Sequence, residues 1–413
     1  MDFFFKDTES CKHIKWSKLL DDIDDTLFYN KYCNSSDYYI VFRQIVVSML
    51  FGKEIILLDA DFTENELLKL TGFSVFEDFN ETLDKSNFLM PSSKESLIER
   101  LKSTNNNWKI ILFTSGTTGI PKEVVHNFES ISRFVKFSKI KTICIWGFAY
   151  NPTHMAGIQV FLQALLNGNP IVRLFGLTSA KILNEIEFNK ITHISATPTF
   201  YRLLLPCERK FESMQRITSG GEKFNERIKE QFLMIFPNAI FNNIYASTEA
   251  GALFASHNDL FSLEFGFEHL IRIENNELLI HNSLMGKAGS KVQEWYKTGD
   301  LIEVVCDKPL SFRFISRNSD IINVGGYKVN PIEVEEIILT HPGIINVRVF
   351  SKSNSVLGNV ICCEVLRENT SVDELSIRVF LQSKIQEFKI PRIIHFVSEL
   401  TTTRTGKIKR NYI

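Results

Sequence analysis

The feature that most constrains the fold is a short apolar run, Lys109 to Phe113, that empties into Thr114-Ser115-Gly116-Thr117-Thr118-Gly119-Ile120-Pro121-Lys122. An apolar run of that length bounded by turn residues reads as a buried strand. The loop after it offers hydroxyls and flexible backbone amides to an anion, with glycines where side chains would obstruct a phosphate. It is not the usual P-loop, because GxxxxGK[ST] spacing is absent and Pro121 separates Ile120 from Lys122. The plainer reading is a Ser/Thr/Gly surface turn.

The surrounding sequence alternates helix and strand signals. Asp37 to Phe51 suits a buried helix closed by Gly52, and Glu54 to Leu58 then reads as a strand. Thr63-Glu64-Asn65-Glu66 has capping-box spacing ahead of a helix through Leu70, and Pro91-Ser92-Ser93 leads into another helix ending at Leu101. Ile158 to Leu166 reads as a helix, with strands at Pro170 to Leu174 and Ile191 to Ala196. The expected class is α/β, a layered sheet whose ligands collect beyond the carboxyl ends of the strands.

After Asp300 the texture changes, with strand-like runs at Leu301 to Cys306 and Phe312 to Ser316, then the polar Arg317-Asn318-Ser319-Asp320. Asn330-Pro331-Ile332-Glu333 supplies a cap, a first-turn proline and a capping-box Glu ahead of a helix from Val334 to Thr340. Strands at Asn346 to Phe350 and Asn359 to Leu366, a helix from Ser371 to about Phe388 and a strand near Ile393 to Val397 follow. The division predicted is a large α/β domain over 1–318 and a small α+β domain over 319–413.

Bulk properties exclude several function classes. The 413 residues suggest two or three packed units, and 44% hydrophobic against 23% charged residues is a globular balance. A net charge of -1 gives no global field for nucleic acid or an anionic membrane. Seven scattered cysteines without CxxC spacing suggest reduced thiols and a cytoplasmic setting. No export signal is expected, since acid enters early in Met1-Asp2-Phe3-Phe4-Phe5-Lys6-Asp7, and no apolar run reaches the ~20 residues needed to span a bilayer. The 35 Phe residues show no repeat and read as core.

Four further motifs give the loop its meaning: Tyr245-Ala246-Ser247-Thr248-Glu249, Tyr296-Lys297-Thr298-Gly299-Asp300, Arg317 to Lys328, and Thr403-Arg404-Thr405-Gly406-Lys407-Ile408-Lys409-Arg410. In order and spacing the set resembles the adenylate-forming superfamily of acyl- and aryl-CoA ligases, peptide-synthetase adenylation domains and luciferases. The resemblance implies an N-terminal adenylation domain with a C-terminal domain that swings about a hinge. Its pattern runs from about Asp37 to the end of the chain, and because the loop arrives early the front of the large domain reads as trimmed.

The resemblance implies roles residue by residue. Thr114, Ser115, Gly116, Thr117, Thr118, Gly119 and Lys122 would grip the phosphates of ATP, Thr248 would meet phosphate, and Glu249 would hold Mg2+. Tyr245 would pack on adenine beside the turn Gly220-Gly221-Glu222. Asp300 would bind the ribose hydroxyls, a carboxylate being a bidentate acceptor for a vicinal diol. Arg317 would lie near the nucleotide, Gly325 and Gly326 beside the thiol channel, and Lys407 would reach the carboxylate and the α-phosphate. Ala246 replaces a family Gly, Ser319 a pivot Asp or Lys, and Lys328 a family Arg, which removes a bidentate contact. His126 follows the loop as many relatives' His does, but is read as a helix cap.

The acyl pocket is expected along Asn151-Pro152-Thr153-His154-Met155-Ala156-Gly157, Ser195 to Thr199 and Gly251-Ala252-Leu253, with His154 as gate or as a core histidine. No acid lies between Trp146 and Gly157 to pair with an ammonium, which favours a non-amino carboxylic acid. The stretches Asn151 to Val172 and Ile191 to Leu205 look most like o-succinylbenzoate:CoA ligases and related short acyl-CoA ligases. The expected function is an AMP-forming acid:thiol ligase using ATP, Mg2+ and CoA. The alternatives are an acyl-AMP ligase loading the phosphopantetheine arm of a carrier protein, and a catalytically inactive binding homologue.

Overall fold

In a computed structural model the described residues are 2–73, 79–86, 88–105, 107–114, 122–137, 144–223, 226–263, 266–286, 294–324, 327–354, 358–403 and 407. The apolar runs at Pro170 to Leu174 and Ile191 to Ala196 supply inner strands of a central sheet. Its order is Gly251–Ser256, Ile240–Ser247, Arg216–Gly220, His193–Ala196, Trp146–Phe148, Ile171–Arg173, Phe3–Asp7 and Lys12–Lys15. Pairing is parallel from Ile240–Ser247 to Phe3–Asp7, and the two edge strands are antiparallel. Parallel strands need both faces covered, and helices such as Tyr38–Leu50 and Met155–Leu165 supply apolar cover. Phe42 stacks on Phe161 with ring centroids 4.2 Å apart, so part of the phenylalanine excess does serve the core.

The strand Phe3–Asp7 lies inside the sheet, with Phe4 and Phe5 fully buried. The sequence pattern did not separate it, because an all-apolar triplet has no period of its own.

A second sheet runs Tyr32–Asn34, Ile55–Leu58, Lys109–Thr114, Lys122–Asn127. Its last two strands form an antiparallel hairpin with Thr114 opposite Lys122, which brackets the glycine-rich string. A third sheet of five antiparallel strands, from Leu260–Ser262 to Leu310–Arg317, packs around Phe254, Phe261 and Phe312. Sequence periodicity anticipated only part of it: Leu301 to Cys306 belongs to one long strand, Trp295–Asp307, that also carries Asp300.

The C-terminal residues bury a core of their own, with Val329, Val334, Val349, Cys363, Ile377 and Leu381 among its members. The helices Pro331–Ile338 and Glu374–Gln382 accompany the sheet Ile344–Asn354, Gly358–Arg367, Ile393–Phe396. The fold is thus α/β, a layered N-terminal body with a small α+β unit after it.

Two local expectations need correction. Asn330 does cap its helix, accepting from the Ile332 amide, but Glu333 does not close a capping box and pairs instead with Lys389 Nζ at 2.6 Å. The expected helix from Ser371 to Phe388 is shorter, Glu374–Gln382, and a single 3-10 turn follows at Glu387–Lys389. No helix among the described residues is long and apolar enough to cross a membrane.

Candidate active site

Strand ends of the central sheet and the long strand of the third sheet converge on one acidic and basic cluster. Asp300 sits directly across the antiparallel pair from Arg317 and is only 2% exposed. Arg317 Nε donates to Asp300 Oδ1 at 3.0 Å, and the Tyr245 hydroxyl donates to Oδ2. Thr298 Oγ1 accepts from the Asp300 amide at 3.0 Å. Burial lifts the Asp300 carboxyl above its ordinary range, and the Arg317 charge offsets only part of that. Each carboxylate oxygen retains acceptor capacity beyond these bonds.

Tyr245 reaches Asp300 from the strand Ile240–Ser247, with its ring tilted on Phe254 at 5.7 Å. Beyond it Thr248 and Glu249 form the turn into Gly251–Ser256. Burial and the neighbouring Glu249 carboxylate push the Tyr296 hydroxyl up to about 12, and the Tyr245 bond to Asp300 brings the two motifs around one site.

The turn after Arg216–Gly220 supplies the opposite wall. Gly221 has φ +81°, and a Cβ there would stand 3.0 Å from Lys407 Cε and 3.5 Å from Nζ. The lysine stem therefore lies across the glycine, where any side chain would be both strained and in its path. Glu222 is engaged elsewhere, its Oε2 accepting from the Thr199 amide at 3.0 Å and hydroxyl at 2.7 Å. Enclosure by protein, followed by the Arg317 charge, lowers the Lys407 pKa, and Glu222, Asp300 and Glu249 oppose the shift without cancelling it. The C-terminal tail closes locally, Thr403 donating its amide to the Lys407 carbonyl at 2.6 Å.

His126 does not cap a helix. Asn127 does, in a capping box with Ser130. His126 is instead 1% exposed, with Nε2 donating to the Thr248 carbonyl at 2.8 Å and Nδ1 3.2 Å from the Ser130 hydroxyl. A carbonyl can only accept, which fixes the proton on Nε2. Gly286 makes room for the ring, since a Cβ there would approach His126 Cε1 to 2.6 Å, and the Gly286 amide bonds the Glu249 carbonyl at 2.7 Å.

His154 opens the helix Met155–Leu165, and its Nε2 lies 3.1 Å from Asp59 Oδ2. Asp59 follows the buried strand Ile55–Leu58, is 7% exposed, and also accepts from Thr153 Oγ1 and, at 3.4 Å, from Asn151 Nδ2. An acid thus does reach the expected acyl-pocket segment, from another strand, with its carboxylate already engaged. An acidic residue directly after a buried parallel strand was the available signal for it.

Several expected residues stand apart. Lys122 and Lys328 are exposed, Lys328 opposite Asn323 on the hairpin Ile322–Val324 with Tyr327–Val329. At the expected pivot, Ser319 Oγ donates to Asp320 Oδ1 at 3.1 Å. Ser115, Gly116, Thr117, Thr118, Gly119, Gly325 and Gly326 lie outside the described residues, as does the side chain of Thr114.

Comparison with known proteins agrees with this fold. A family model described as AMP-binding enzyme matches residues 45–268, and one described as AMP-binding enzyme C-terminal domain matches 333–407. The chain is 25% identical to the human acyl-coenzyme A synthetase ACSM4, mitochondrial, over 73% of this chain and 60% of that protein. It is also 25% identical to 2-succinylbenzoate--CoA ligase of Listeria monocytogenes, over 73% of this chain and 68% of the relative. The chain therefore spans about three fifths of the length of the first of these. Among solved structures, the anthranilate CoA ligase AuaEII in complex with anthranoyl-AMP superposes with TM-score 0.73 at 15% identity, covering 98% of this chain and 92% of that one. The o-succinylbenzoate CoA synthetase of Bacillus subtilis in complex with its acyl-adenylate gives 0.67 at 17% identity, covering 98% and 94%. With the larger family model spanning more than half of its residues, the chain belongs to the AMP-binding enzyme family.

Proposed function

We propose that the chain is an AMP-forming acid:thiol ligase, which activates a non-amino carboxylic acid with ATP and passes the acyl group to the thiol of CoA. The observation that carries this reading is Lys407 lying across the Gly221 turn in the field of Glu222, Asp300 and Glu249. A carboxylate cannot expel oxide, so the acid must first be given a leaving group. In the first step a carboxylate oxygen bonds to the α-phosphorus of ATP, the bond to the bridging oxygen breaks, and pyrophosphate departs. Two anions must meet, and the work of the site is charge neutralisation and alignment.

In this reading Asp300 receives the ribose hydroxyls and is held in place by Arg317 and Tyr245. The ammonium of Lys407 bridges the incoming carboxylate and the α-phosphate, while Gly221 gives its stem passage. Thr114, Ser115, Thr117, Thr118 and Lys122 are assigned to the β- and γ-phosphates. Mg2+ is bound through one or two carboxylates together with substrate phosphates. Glu249 fits that role, and among the described residues no cluster of three or more ligating side chains offers a protein-only cage. When bound there the ion would neutralise charge on the departing pyrophosphate.

In the second step thiol sulfur bonds to the acyl carbon, the acyl-phosphate C–O bond breaks and AMP leaves. Gly325 and Gly326 are assigned to the thiol channel, His154 to the acyl pocket, and the hinge to the 318/319 boundary. Among the described residues no cysteine is in a disulfide, which suits a reducing compartment, and we place the reaction in the cytoplasm. The test is ATP–pyrophosphate exchange against a panel of carboxylic acids, followed by CoA and a holo carrier protein as competing acceptors. Exchange with at least one acid and transfer to CoA is expected. Absence of exchange with every acid would sink the reading.

A further inference from the structure

The small C-terminal unit touches the glycine turn of the large body at a second point. Lys223 follows Glu222 on that turn, and its Nζ lies 2.9 Å from Glu336 Oε1 on the helix Pro331–Ile338. Glu336 is rigidly tied to its own unit. The helix buries Val334 and Ile338 in the C-terminal core, Glu333 pairs with Lys389, and Glu335 accepts from the Val349 amide at 2.8 Å. Lys223 is as closely tied to the large body, since the preceding Glu222 is held by Thr199 at 3.0 and 2.7 Å.

We propose that Lys223 and Glu336 form an ion-pair latch that seats the C-terminal unit on the Gly220–Glu222 turn and so positions Lys407 in the cleft. The pair lies on the same turn that the Lys407 stem crosses, so one short segment of the large body receives both the helix and the tail. A half-exposed pair, with side chains 25% and 35% exposed, contributes little to global stability. Its leverage is on orientation, because a small energy applied between two rigid units shifts the population of docked over undocked arrangements. Lys223 and Glu336 are positioning residues, acting through Lys407. The catalytic consequence rests on the adenylation reading, whereas the geometry of the latch does not.

The test reads docking without any substrate. Wild type, Glu336→Lys, Lys223→Glu, Glu336→Gln and the Lys223→Glu/Glu336→Lys exchange are pulsed with limiting acetic anhydride. Acetylation of Lys407 is then quantified by mass spectrometry relative to exposed Lys352. Loss of a pair in this exposure class corresponds to about a two- to fivefold rise in Lys407 labelling for the single variants. The exchanged pair should return labelling to the wild-type level, which a merely misfolded variant would not do. Unchanged labelling in the single reversals, or no recovery in the exchange, overturns the latch. In parallel, ATP–pyrophosphate exchange with benzoate, butyrate and malonate should fall in the single variants and recover in the exchange. Recovered labelling in a protein that exchanges pyrophosphate with no acid would uphold the latch and remove the activity reading alone.

Discussion

The His126 Nε2 proton is donated to the carbonyl of Thr248 at 2.8 Å, so the strand leaving the glycine-rich string holds the turn that presents Glu249. Replacing His126 with Ala removes the donor to the Thr248 carbonyl and leaves a void where the buried ring was, and should cost about 1–3 kcal/mol in urea unfolding. His126→Gln, which keeps a donor, should lose less. ATP–pyrophosphate exchange should fall with His126→Ala even at temperatures where the variant is fully folded.

The same histidine gives stability a pH dependence. Burial lowers its pKa in the folded state, so below about 6.5 the unfolded chain binds a proton that the folded chain refuses. Stability is then complete above that pH and declines as the pH falls beneath it. His193, lowered to about 4 by burial, acts in the same direction. Unfolding free energy measured from pH 7.5 to 5 should flatten in His126→Gln, and an unchanged slope would show that His126 is not kept neutral.

Lys407 should matter to one half-reaction far more than to the other. Lys407→Ala is expected to lower pyrophosphate exchange by about 10²–10³, while thioester formation from supplied acyl-adenylate stays within about threefold. Because its pKa lies below the ordinary lysine value, exchange should decline on the alkaline side before pH 10.5. Lys407→Arg should move that limb upward, since a guanidinium does not titrate there. Equal loss in both half-reactions would contradict the assignment.

Asp300→Asn removes the charge that Arg317 and Tyr245 converge on, and with it the charged acceptor proposed for the two ribose hydroxyls. ATP affinity by calorimetry, in the absence of acid, should weaken by about ten- to a hundredfold. An unaltered dissociation constant would place the ribose elsewhere.

Asp59→Asn should loosen His154, Thr153 and Asn151 together, because all three converge on one carboxylate. The expected cost is about 1–3 kcal/mol in unfolding free energy, accompanied by a changed acid profile in the exchange assay. A profile identical to wild type would leave Asp59 with a purely packing role.

Asp300 and Arg317 were both legible in the sequence because each sits in a short stretch with its own signature. Their pairing was nearly legible too, since they are equidistant from the turn at Lys308-Pro309 that joins their strands. His126 and Asp59 were not. The first looked like a helix cap until Asn127 took that place, and the second sits in a stretch that no motif singles out. The strand Phe3–Asp7 escaped because its apolar triplet has no period of its own, although it pairs with Ile171–Arg173 on one side and Lys12–Lys15 on the other.

The sequence by itself determined the alternation of helix and strand, the glycine-rich string after an apolar strand, and the residue types available for the chemistry. These follow from local rules of burial period, capping and backbone freedom. Only the tertiary structure decided that Lys407, from the chain's last segment, lies on Gly221 among Asp300, Glu249, Glu222 and Arg317. Electrostatic neighbours depend on distance in space and on exclusion of water, and neither is a property of spacing along the chain.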